Sequence, residues 1–161
     1  MFNRFCGVVL GLAVALPAWA DTCDKGGAPF AVVAASSPTV VRAQVVRQNL
    51  GPLAVELEVI TPIKGARWLE RIVLWGSTAR DRAASVEDFE EGSVWVLALD
   101  EAVPSLTAAK GDKLRHFVFT RCGERVLAER RGMVIGRLDS AERREMPVKE
   151  FLARFGQGVK Q

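Results

Sequence analysis

Few side chains in this sequence have chemistry to offer. Beyond residue 20 the chain holds two cysteines, Cys23 and Cys122, and a single histidine, His116. Acidic side chains gather at Glu87, Asp88, Glu90 and Glu91, and arginines gather after residue 120. In an exported chain an even pair of cysteines is expected to form one disulfide. The bridge would close a loop of about 100 residues and stabilise by roughly 4–5 kcal/mol on a chain-entropy model. The competing use is a metal site. If His116 and Cys122 lie on one strand they are roughly 20 Å apart at about 3.3 Å per residue, too far to share a zinc ion. The expectation is a Cys23–Cys122 disulfide, with no metal and no other cofactor.

The acidic segment lacks the Asp-x-Asp-x-Asp-Gly spacing of a calcium loop, so it reads as a solvated loop with Phe89 tucked inward. Catalysis finds little support. There is no His-Glu-x-x-His, no Gly-x-Ser-x-Gly elbow and no phosphate-binding loop. His116 sits beside Phe117 within a strand pattern, where a packing or surface role is expected. Bridged cysteines leave no thiol nucleophile. A non-catalytic protein is expected.

The elements that must position these residues begin after a leader. Arg4 is a positive flank, Gly7 to Leu16 is an apolar run, and Ala18-Trp19-Ala20 is a small-x-small cleavage site. The run is too short to span a bilayer, and no later stretch approaches roughly 20 apolar residues. An uncleaved anchor is the alternative; the Ala20-Asp21-Thr22 sequence does not resemble the box before a lipidated cysteine. Residues 1–20 are expected to be a signal peptide cleaved near Ala20, giving an exported protein, periplasmic or secreted, that starts at Asp21. Residues 21–161 then form one domain. From Asp21 onward there are 21 basic and 19 acidic residues, but Arg121 to Gln161 alone holds 10 basic and 6 acidic. The C-terminal quarter is the basic part.

The strand signals follow in order. Phe30 to Ala35 is short and apolar, compatible with a helical turn or an extended lead-in. Thr39 to Gln48 is rich in β-branched residues, with Val41, Ala43 and Val45 on one face. In Leu53 to Gly65, Leu53, Val55, Leu57 and Val59 alternate with Ala54, Glu56 and Glu58, and Pro62 is expected to end regular pairing. Leu69 to Trp75, Ser93 to Asp100 and Leu114 to Arg121 are further strands. Arg125 to Glu129, an Arg130-Arg131-Gly132 turn and Met133 to Leu138 make a hairpin. A short helix closes the chain, with Pro147 in its first position, Gly156 just past its end, and Val148, Phe151, Leu152 and Phe155 on the face that covers an open side of the barrel. This pattern predicts a mainly β protein: a five-stranded OB-like barrel with an extra C-terminal hairpin and short α-helix over residues 124–157.

Four pieces in this order resemble the netrin-like family, the OB-type barrel of the tissue inhibitors of metalloproteinases. They are Ser37 to Val46, Val55 to Gly65 with its closing Lys-Gly, Glu91 to Ala98, and Phe119 to Gly123 with its late cysteine. The resemblance covers about Asp21 to Val126. The family begins Cys-x-Cys; here Asp21-Thr22-Cys23 retains only the second cysteine, and the loop near Ala84 to Phe89 lacks the partner of the first. The resemblance implies that Cys23 pairs with Cys122. It also implies an inhibitory edge made of Asp21, Thr22 and Cys23, in which the α-amine and carbonyl of Asp21 would cap a peptidase zinc and Thr22 would enter a specificity pocket. The expected partner is thus a protein, most concretely a zinc metallopeptidase.

The second function class is polyanion binding through a basic patch of Arg125, Arg130, Arg131 and Arg137. Against it, Glu124, Glu129, Glu142 and Glu145 are interleaved, and the absence of tyrosine leaves few stacking platforms for nucleic acid; a solvated, salt-bridged surface is the competing and favoured reading. Export weighs against nucleic acid too, so none is expected as a partner.

Overall fold

In the computed structural model the described residues are 27–48, 54–65, 67–76, 88–101, 114–118 and 123–156. Five strands form a closed barrel: β1 (Thr39–Arg47), β2 (Ala54–Lys64), β3 (Arg71–Trp75), β4 (Val94–Glu101) and β5 (Arg115–Val118). The order runs β1-β2-β3-β5-β4 and returns to β1, with β3 and β5 parallel and the other pairs antiparallel. The mainly β, OB-like barrel expected from the sequence is the fold observed.

The alternation in the strands explains the interior. Val41, Ala43 and Val45 point inward with Val55, Leu57, Ile72, Leu74, Leu97, Leu99 and Phe117, filling the barrel. Phe89 is fully buried with them and stacks on Trp95 at 4.6 Å between ring centres. Pro62 does not end its strand. β2 continues to Lys64, and Pro62 faces Val41 where the β1–β2 register slips between Val40 and Val41. An irregularity of this kind is where a sheet accepts a residue that cannot donate to the ladder.

β1 and β4 are buried on both faces, because a second core lies outside the barrel wall. Val40, Val96 and Ala98 turn outward to meet Phe30, Val33 and Ala34 of α1 (Phe30–Ser36), so the apolar lead-in is helical. The other side of this core comes from β6 (Val126–Arg130), β7 (Met133–Gly136), β8 (Arg144–Pro147) and α2 (Val148–Phe155). Leu127, Val134, Leu138 and Phe151 are its buried members from that part of the chain. Helix α2 therefore packs against α1, with Phe151 5.9 Å from Phe30 between ring centres. It does not cover an open side of the barrel as the sequence suggested: it sits beside β7 and β8 in the second core, whose apolar members include Phe30, Leu127, Val134 and Leu138. Pro147 precedes the helix as its N-cap and ends β8, and Gly156 is right-handed at the C-cap, with φ −82°. Between β6 and β7, Arg131 and Gly132 have φ of 51° and 75°, the left-handed pair that a two-residue hairpin turn requires.

β5 and β6 occupy successive stretches of the same edge of β4. Asp100 pairs with Val118 and Leu97 with Val126. On the outer face Arg42 forks onto Glu129, with nitrogen–oxygen distances of 2.6 and 2.7 Å, tying β1 to β6. The hydrogen bonds to Glu129 raise the Arg42 pKa, against a smaller lowering by burial and with added help from the Glu129 charge. Since the folded value lies above the unfolded one, this contribution is fully present below the unfolded pKa. It is lost only as pH rises through the folded value in strong alkali.

Candidate binding surfaces

Asp21, Thr22, Cys23 and Cys122 lie outside the described residues. The described chain begins at Gly27, and there it is held closely. Gly27 and Gly123 have φ of 38° and 119° and approach so tightly that a Cβ on Gly27 would fall 2.9 Å from the Gly123 Cα. A Cβ on Gly123 would fall 2.5 Å from a Val33 methyl. Two glycines are needed here because no side chain fits. The Glu124 amide donates to the Ala28 carbonyl at 2.9 Å. Arg137 completes the clamp. Its Nη1 donates to the Gly27 carbonyl at 3.3 Å, its Nε meets the Glu124 carboxylate at 3.0 Å, and its own carbonyl accepts the Phe30 amide at 2.8 Å. The C-terminal extension thus fixes residues 27–31, a link that no local sequence signal could show across more than 100 positions.

The four arginines of the expected basic patch do not form one surface, which corrects the sequence reading. Arg125 is 3% exposed, its Nη1 2.9 Å from Asp100 Oδ2 and 3.1 Å from the Ala98 carbonyl. It lies just before β6, along the edge of β4, so its side chain enters the wall instead of solvent. Arg137 belongs to the clamp. Arg130 and Arg131 are exposed at the β6–β7 turn.

His116 is buried. The Trp75 indole N–H donates to its Nδ1 at 2.9 Å and the two rings stack, which is a packing role. That bond makes Nδ1 an acceptor, placing the proton of a neutral imidazole on Nε2. In the acidic segment Glu91 accepts the Gln48 amide at 3.1 Å. Among the described residues no group of three or more His, Cys, Asp and Glu side chains is placed to hold a metal ion. No helix among them is long and apolar enough to cross a membrane.

One surface escaped the sequence reading. A groove of about 620 Å³ runs along the far end of β2, the β2–β3 connection and the start of β5. Trp68 stands in it 63% exposed, while its neighbour Leu69 is buried in the barrel core. The Arg115 guanidinium carbon lies 5.1 Å from the Trp68 ring centre, within cation–π range. Glu101 holds Arg115 from the other side at 3.1 Å. The signal was legible in outline: a tryptophan beside Arg67 in the turn after Lys64-Gly65, one position out of phase with inward Leu69. Comparison with known proteins finds no matching family model, no matching curated protein and no matching solved structure.

Proposed function

We propose that this protein is an exported, non-catalytic binding module for a protein partner, inhibiting a zinc metallopeptidase through its mature N-terminus in the manner of the netrin-like inhibitors it resembles. The observation that carries this reading is the clamp on Gly27 and Ala28. A ligand inserted into an active site binds well only if it is already ordered. The family's first cysteine, which would supply such order, is missing here. The Gly27–Gly123 approach, the Glu124–Ala28 hydrogen bond and Arg137 supply a different anchor a few residues downstream. An α-amine with a pKa near 8 has a useful neutral fraction for metal binding at neutral pH.

The Cys23–Cys122 disulfide belongs to the same proposal. Cys122 adjoins Gly123, which touches Gly27, and the four residues from Cys23 to Gly27 reach up to about 14 Å. Unreduced protein from the exporting host should contain no free thiol beyond residue 20. Cys122→Ser should lower stability by about 2–5 kcal/mol. Two free thiols by mass spectrometry would refute the bridge.

The functional test compares protein starting at Asp21 with the same protein carrying one extra N-terminal residue, against a panel of zinc metallopeptidases. The first should inhibit and the second should not, at equal melting temperatures. Equal inhibition by both excludes a mechanism through the free amine. Inhibition by neither removes the peptidase as partner.

A further inference from the structure

The Trp68 groove is independent of the N-terminal edge, and its chemistry points to a ligand of another kind. Trp68 is exposed on an anchored stretch of backbone. Leu69 is anchored in the barrel core, the Val59 amide donates to the Glu70 carbonyl at 2.8 Å, and Arg115 lies against the indole. A large aromatic surface is therefore presented to solvent with little backbone freedom left to lose on binding. The polar groups around it divide into two sets. Arg71 is tied to Glu56 at 3.1 Å and Arg115 to Glu101 at 3.1 Å. The side chains of Arg67, Glu58 and Glu70 are exposed and make no hydrogen bond or ion pair among the described residues.

The groove thus offers a flat apolar face, a strong donor and two strong acceptors, with both signs of charge on its walls. A polyanion would be drawn to three arginines but repelled by Glu58 and Glu70; a polycation meets the reverse conflict. A ligand with an apolar C–H face and a rim of hydroxyl groups meets neither, because each hydroxyl both donates and accepts. The volume lies within the roughly 300–1,000 Å³ of small-ligand sites and is open at the surface. We propose that this groove binds a neutral saccharide, one sugar ring stacking on Trp68 and its hydroxyls bridging Arg67, Glu58 and Glu70.

The test is an array of neutral oligosaccharides built from glucose, galactose, mannose and N-acetylglucosamine, followed by calorimetry with any oligosaccharide that binds. Heparin fragments and a lysine-rich peptide run alongside. The expected result is binding to at least one neutral oligosaccharide, changed less than twofold between low and high salt. Trp68→Ala should weaken it at least tenfold, and Glu70→Gln measurably, with the melting temperature of each variant unchanged because both side chains are exposed. No binding across the neutral array overturns the proposal, as does neutral-sugar binding that survives Trp68→Ala. Binding only to heparin fragments or only to the basic peptide, lost at high salt, overturns it in favour of an electrostatic site. Peptidase inhibition is read separately on the same variants. It should be unchanged in Trp68→Ala, so that failure of the inhibitor reading and failure of this one are distinguishable.

Discussion

Asp100→Ala is expected to destabilise the protein by about 3–5 kcal/mol, the usual consequence of leaving one half of a buried ion pair in place. Arg125 is 3% exposed and Asp100 is 9% exposed, with 2.9 Å between the paired atoms. Truncating Asp100 would take one carboxylate away from a guanidinium buried in the barrel wall, and arginine cannot escape by losing its proton. Replacing both partners with apolar residues of similar volume should be far milder, since the desolvation cost disappears with the charges. Urea unfolding measures both variants: the single substitution should move the midpoint strongly with little change in slope. A loss below about 1 kcal/mol, the value of an exposed pair, would show that water reaches Arg125.

Phe151→Ala is expected to cost about 3–5 kcal/mol as well, by removing a ring from the second core. Phe151 is fully buried, 5.9 Å from Phe30 and 4.5 Å from Phe155 between ring centres. An eight-residue helix is not stable alone in water, so α2 must be held by this contact set. The loss should therefore appear in the global transition, as a fall in melting temperature of roughly 10–20 °C at about 4 °C per kcal/mol. Calorimetry of Phe151→Ala, and of a truncation at Glu145, is the measurement. An unchanged melting temperature in either would mean that the helix is an appendage and that α1 is held without it.

Much of the barrel was legible because its strands obey a period of two. Val41, Ala43 and Val45 fall on one face in the sequence and line one core in the fold. The inward Phe89, the Arg131-Gly132 turn and the amphipathic face of α2 were legible for the same kind of reason: each follows from residues within one or two turns of chain. Pro62 misled because a proline ends a ladder only when the register is regular, and here the two strands slip beside it. Arg125 misled because charge is read as exposure, while its partner Asp100 lies 25 residues earlier on β4.

What the sequence determined by itself was the alternation, the turns and the apolar stripe, all set by backbone geometry over a few residues. The tertiary structure alone decided where those faces went. β1 and β4 carry apolar residues on both sides, which a local pattern records only as hydrophobic density; closure of the barrel gave one side an interior and left the other to enter the second core with α1 and α2. The clamp on Gly27, the burial of Arg125 and the standing of Trp68 in a groove were decided in the same way. Each depends on which strand becomes the neighbour of which, and that choice is made by burying surface across the whole chain, where no short stretch of residues contains the answer.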